Sequence, residues 1–102
     1  RVPLRMLKKA SVNQPFFTQT LMLSKEDIWN ELAVNTYFQS LNMLRIKGLI
    51  YSPQGAVLVN AVLGEVSFKP IEQPNEIPRL EFIDSHPIDL DSIGAKMESL
   101  KL

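Results

Sequence analysis

The strongest constraint on this chain is a run of local start and stop signals between Ser24 and Asn60, SKEDIWNELAVNTYFQSLNMLRIKGLIYSPQGAVLVN. Ser24 stands before an apolar pattern, with Asp27 three positions on and Glu26 beside it. A serine hydroxyl accepts from a free N–H of a first helical turn, and acids suit the positive end of a helix. Ile28, Trp29, Leu32 and Ala33 then fall on one helical face. A second start signal follows at Thr36-Tyr37-Phe38-Gln39, a capping box. Val34, Asn35 and Thr36 are poor helix-interior residues, so the pattern predicts two helices with a turn between them. The second helix carries Phe38, Leu41 and Leu44 inward. It turns Tyr37, Gln39, Ser40, Asn42, Arg45 and Lys47 mostly outward. Arg45 and Lys47 suit its negative end, and Gly48 supplies a left-handed stop. Leu49-Ile50-Tyr51 and Ala56-Val57-Leu58-Val59 are β-prone on either side of turn chemistry at Ser52-Pro53-Gln54-Gly55, which predicts a hairpin.

The flanks can be placed around that stretch. Val2 to Ala10 reads as a short helix, with Pro3 at a first helical position and Leu4 and Leu7 on its apolar side. Phe16 to Leu23 is β-prone, and both of its faces are fairly apolar. Ala61-Val62-Leu63 extends the hairpin, Gly64 marks a bulge or bend, and Glu65 to Phe68 adds a third strand. Lys69 to Arg79 holds three prolines and reads as an extended surface connector. Arg79 to Ile83 predicts a short edge strand, and Asp84-Ser85-His86-Pro87 a turn. Asp89 to Leu102 predicts a helix capped by Asp89 or Asp91. Its apolar stripe of Leu90, Ile93, Met97 and Leu100 is free to dock on its own domain or on a second copy.

The order helix, strand, helix, helix, strand, turn, strand, with the spacing Leu41-x-x-Leu44-x-x-x-Gly48-Leu49-Ile50, resembles winged helix-turn-helix domains. The resemblance implies a small α+β, winged-helix-like fold. Residues 1–68 would form the core with its hairpin wing, 69–88 the connector and edge strand, and 89–102 the terminal helix, all in one domain. The first helix is shorter, and the first strand longer, than such domains need. The alternative is a single kinked helix over 24–47 under an unrelated antiparallel sheet, which leaves a recognition helix without a basis.

At 102 residues the chain is the size of one small domain. No apolar run approaches the ~20 residues that span a bilayer, and no charged-then-apolar leader follows Arg1, so neither a membrane anchor nor a secretory signal is expected. Cysteine is absent. That excludes disulfides, thiolate metal sites and a cysteine nucleophile, and it fits a cytoplasmic location. Eleven basic and eleven acidic residues cancel, but Arg1, Arg5, Lys8, Lys9, Lys25, Arg45 and Lys47 weight the first half. Glu65, Glu72, Glu76, Glu81, Asp84, Asp89, Asp91 and Glu98 weight the second. A basic half can meet phosphate; equally, the halves can neutralise each other within or between chains.

Candidate chemistry is sparse. Asp84, Ser85 and His86 share residue types with a hydrolase triad, but neighbours in a turn rarely converge as nucleophile, base and orienter. Glu81, Asp84, His86, Asp89 and Asp91 could offer ligands to a hard cation, yet their spacing matches no calcium loop. Gly48, Gly55, Gly64 and Gly94 form no phosphate-cradling loop. The expectation is therefore a protein that is no enzyme, with no cofactor, no metal and no small-molecule substrate.

The outward face of the second helix is richer. Asn35, Gln39, Asn42 and Arg45 are of the types that read base edges. Thr36, Tyr37 and Ser40 could contact phosphate, with Lys47 and the wing-tip Gln54 nearby. The winged resemblance implies a DNA-binding protein, a regulator or accessory replication factor. Its recognition helix would lie in the major groove of duplex DNA, and Leu90, Ile93, Met97 and Leu100 would serve dimerisation. The competing reading is a structural or protein-interaction subunit that does not bind DNA, favoured by the zero net charge and by the apolar strands.

Overall fold

Alternation of outward and inward side chains, rather than helical periodicity, governs most of the chain. The computed structural model describes residues 15–72 and 76–102; the helix expected over 2–10 lies outside them. The elements run β1 (Phe17–Met22), α1 (Glu31–Leu41), β2 (Arg45–Ser52), β3 (Gly55–Val62), β4 (Glu65–Pro70), β5 (Arg79–Asp84) and α2 (Leu90–Glu98). The strands form one five-stranded antiparallel sheet in the order β1-β5-β2-β3-β4. β1 and β2 both run antiparallel to β5, which lies between them, so they point the same way and α1 joins them as a split β-α-β unit.

The registers assign the two faces. Ile46 lies between Phe82 and Ala61, and Gly48 between Leu80 and Val59, so the inward residues of β2, β3 and β5 share one face. Val34 and Phe38 of α1 and Ile93 and Met97 of α2 cover that face and complete the core with Trp29 and Leu100. Phe38 meets Phe82 edge-on, with ring centroids 6.0 Å apart. α1 packs nearest β4 and α2 nearest β1. The described residues thus form a two-layer sandwich, with both of their helices on one side of the sheet and none of them on the other.

Beyond the β2–β5 ladder, Ile28 pairs in parallel with Tyr51. Trp29 N–H donates to the Tyr51 carbonyl (2.8 Å), Asn30 N–H to the Leu100 carbonyl (3.1 Å) and Leu102 N–H to the Ile28 carbonyl (2.9 Å). The extended segment 28–30 therefore fastens the chain's last residues to the end of the sheet.

This β-rich fold overturns the winged-helix expectation. Ser24 caps a single turn, with the Glu26 N–H on its hydroxyl (3.2 Å) and the Asp27 N–H on its carbonyl (3.1 Å), and the chain is then extended through Trp29. The single helix in this region starts at Asn30, whose side chain accepts from Ala33 N–H (3.2 Å), and runs straight through Thr36. Burying Val34 and Phe38, four residues apart and both without exposure, outweighs the weak propensities around position 35. The helix ends at Asn42, in the left-handed region (φ 50°, ψ 38°), where asparagine is a natural stop.

Arg45 and Lys47 consequently lie in a strand. Gly48 is no helix stop: it sits mid-strand, where a Cβ would come 2.0 Å from the Arg79 carbonyl oxygen. The strand expected at Arg79 to Ile83 forms, but as an interior strand between β1 and β2 rather than at an edge. Strand β1, the hairpin turn and the terminal helix lie where the sequence places them, within a residue or a few. Among the described residues no helix is long and apolar enough to cross a membrane.

Candidate interaction surface

The two outermost strands differ in chemistry. β4, at one edge, reads Glu-Val-Ser-Phe-Lys-Pro: it carries two charges and ends in a proline that cannot donate to a further strand. Such features blunt an edge against pairing with another chain. β1, at the other edge, reads Phe-Thr-Gln-Thr-Leu-Met, with no charge and no proline. It pairs residue for residue with β5 on one side, from Phe17 opposite Asp84 to Met22 opposite Arg79. Among the described residues no strand pairs with its other side.

Five of its six residues are exposed, Leu21 being half-buried. Met22 is 58% exposed and Phe16, just before the strand, 61%. Register places Phe17, Gln19 and Leu21 on the helix-covered face, opposite Asp84, Phe82 and Leu80. Thr18, Thr20 and Met22 lie on the other face.

The helix-free face holds a shallow depression of about 300 Å³, lined by Arg45, Lys47, Arg79, Glu76, Glu81 and Asn60 among others. Two of its charged side chains pair with each other and a third bonds an amide. Lys47 Nζ is 3.5 Å from Glu81, and Arg45 Nε donates to Asn60 Oδ1 at 3.0 Å. Leu49 and Ala56 point to this side yet are buried. The link from β4 to β5 leaves beside them, with Ile71 N–H on the Ala56 carbonyl at 3.0 Å.

A second depression, about 380 Å³, lies between the helices and is lined by Ala33, Thr36, Tyr37, Ser40, Lys96 and Leu100. The Lys96 ammonium stands 5.9 Å from the Tyr37 ring centroid. Burial raises the Tyr37 phenol above its ordinary value.

The residues expected to read nucleic acid are dispersed. Asn35, Thr36, Tyr37, Gln39 and Ser40 lie on α1, and Asn42 is its cap. Asn35 accepts from the Gln39 amide (2.9 Å), and Ser40 Oγ donates to the Tyr37 carbonyl (2.6 Å). Arg45 and Lys47 project from the opposite, helix-free face, and Gln54 sits in the β2–β3 turn. The sheet itself separates these groups.

The stripe expected to dimerise is taken up by the domain's own core: Ile93, Met97 and Leu100 are buried and Leu90 packs against them. In the Asp84-Ser85-His86 turn, Ser85 Oγ is 3.2 Å from His86 Nδ1, but Asp84 accepts from the Ser85 backbone N–H (3.0 Å). Among the described residues no three His, Asp or Glu side chains gather as a metal site.

The β1 edge is the surface that sequence reasoning missed. Its signal was available in a strand of Phe, Thr, Gln, Leu and Met without a single charge. What was missing was its place at the end of the sheet. The chain matches no protein-family model, no curated protein and no solved structure.

Proposed function

We propose that this chain is a non-enzymatic protein-interaction subunit that docks by adding a strand to the outer edge of β1. The observation that carries the reading is the contrast between the two edges. β4 has Glu65, Lys69 and Pro70, whereas β1 has neither charge nor proline and presents Phe16, Phe17 and Met22 to solvent. Main-chain donors and acceptors along such an edge supply affinity, and alternate side chains supply selectivity. Duplex-DNA binding is the weaker reading, because it needs Gln39, Asn42, Arg45 and Lys47 on one helix, and α1 ends at Leu41.

The test is site-specific photo-crosslinking in cells, with the reactive side chain in place of Thr18 or Thr20 and, as control, of Ser92 on α2. Protein adducts of defined mass from the β1 positions, lost in a Gln19→Lys background that keeps the native Trp29 emission, are the expected result. Equal labelling from Thr18, Thr20 and Ser92 would refute it.

A further inference from the structure

Resting on that reading, we infer that the strand added to β1 is β1 of a second copy, in an antiparallel register centred on Gln19. Opposed residues in an antiparallel pair point to the same face. A twofold axis at Gln19, normal to the sheet, therefore sets Gln19 against the partner's Gln19, Phe17 against the partner's Leu21 and Thr18 against the partner's Thr20. Continued one residue outward, the alternation sets Phe16 against the partner's Met22. Each contact occurs twice except that of Gln19 with its own copy.

This register matches like with like on both faces. On the helix-covered face, Phe17 and Leu21 extend the existing core across the boundary; a Cβ at Gly94 of α2 would lie 3.9 Å from Leu21 Cδ1, so α2 already roofs that edge. On the other face, Phe16 and Met22, 61% and 58% exposed, cover each other in an aromatic–sulfur contact beside threonine pairs.

Shifting the axis by one residue, to Thr20, sets Thr18 against Met22, Gln19 against Leu21 and Phe16 against Ser24. A register that opposes Gln19 to Thr20 has no twofold axis normal to the sheet, because opposed residues share a face and the two helical layers would then lie on opposite sides. Neither buries Phe16 against Met22. No charge lies in β1, so no like-charge pair opposes the contact. The interface is one strand wide, at the small end of specific contacts, so a concentration-dependent dimer follows rather than a permanent one.

The absence of cysteine makes the register directly readable. Opposed Cα atoms in an antiparallel pair lie ~4.5–5.5 Å apart, within disulfide reach, and diagonal ones about 7 Å or more. Under mild oxidation Gln19→Cys should form a covalent dimer by itself. Thr18→Cys and Thr20→Cys should each stay monomeric alone and cross-link when mixed. In parallel, the wild-type mass should rise from 11.6 kDa towards twice that value as concentration approaches ~1 mM. Gln19→Lys should weaken association roughly fivefold or more, by opposing two ammonium groups at the axis.

A mass fixed at the monomer across that range overturns the inference, as does cross-linking of Thr18→Cys or Thr20→Cys with itself. A fixed monomeric mass, beside β1 photo-adducts to a different protein in cells, leaves strand-addition docking standing and removes the second copy as occupant; self-cross-linking of Thr18→Cys or Thr20→Cys keeps the second copy and removes the register centred on Gln19. Failure of both experiments removes both.

Discussion

At the scale of single residues, backbone crowding decides the outcome at Gly48. The Arg79 carbonyl oxygen stands 2.0 Å, and Leu80 Cα 2.9 Å, from where a Cβ would be. Both are main-chain atoms of β5, an interior strand, and cannot swing aside as a side chain could. Gly48→Ala should therefore lower stability by about 1–3 kcal/mol through overpacking, read as a fall in the urea midpoint.

Trp29 is the chain's single tryptophan and is 2% exposed, and its indole N–H has no partner among the described residues. Its emission should be blue-shifted in the native state and move red on unfolding. Trp29→Phe removes a donor that has no partner among the described residues, along with some buried area, so it should cost less than Phe38→Ala, for which about 3–5 kcal/mol is expected. A larger loss in Trp29→Phe would show that the indole N–H is bonded in solution.

Tyr37 supplies a pH dependence. Burial holds its phenol neutral in the fold, so its native pKa lies above the unfolded value near 10.0. As pH rises through that window, the unfolded state releases its proton first and stability falls. Lys101, raised by its hydrogen bonds to Glu98 and then to Asp27, acts in the same direction: its contribution is present below its unfolded value and is lost in alkali. Tyr37→Phe should flatten the alkaline limb of the stability curve without abolishing it.

At the scale of elements, α1 has two competing start signals, and the structure discriminates between them. Asn30 has the extended backbone and the side-chain bond of an N-cap; Thr36 is an exposed residue in the helix interior. Asn30→Ala should cost ~1 kcal/mol of stability, whereas Thr36→Ala should be neutral or slightly favourable. The reverse order would restore a helix start at Thr36.

The same comparison explains what local signals could and could not convey. Capping boxes are short and can occur inside a helix whenever the residues past them still bury an apolar face. Val34 and Phe38 do so here. The segment from Arg45 to Ser52 alternates Arg, Ile, Lys, Gly, Leu, Ile, Tyr, Ser. That period of two was present in the sequence, but attaching Arg45 and Lys47 to a preceding helix concealed it.

At the scale of the whole molecule, β5 is the latest strand in sequence and sits between β1 and β2. The central sheet therefore closes only when residues some sixty positions apart have met, as in Thr20 opposite Glu81. Amides of Ile46, Leu80 and Phe82 should exchange most slowly, and those of β4 and β1 faster, the latter gaining protection as concentration rises. Slow folding follows from such non-local pairing.

The sequence by itself determined the local events whose causes lie within a few residues. These include the β-prone Phe16 to Leu23, the turn at Ser52 to Gly55 and the Asp89 cap, where Asp89 accepts from the Ser92 N–H at 3.1 Å. The apolar stripe of the last helix belongs with them, though not what it packs against. Only the tertiary structure decided that Arg79 to Asp84 is an interior strand, that Arg45 and Lys47 face away from α1, and that β1 is an edge among the described strands. Those facts depend on which strand hydrogen-bonds to which across long separations. A strand's donors and acceptors satisfy any neighbour equally, so its own residues do not specify which neighbour it has.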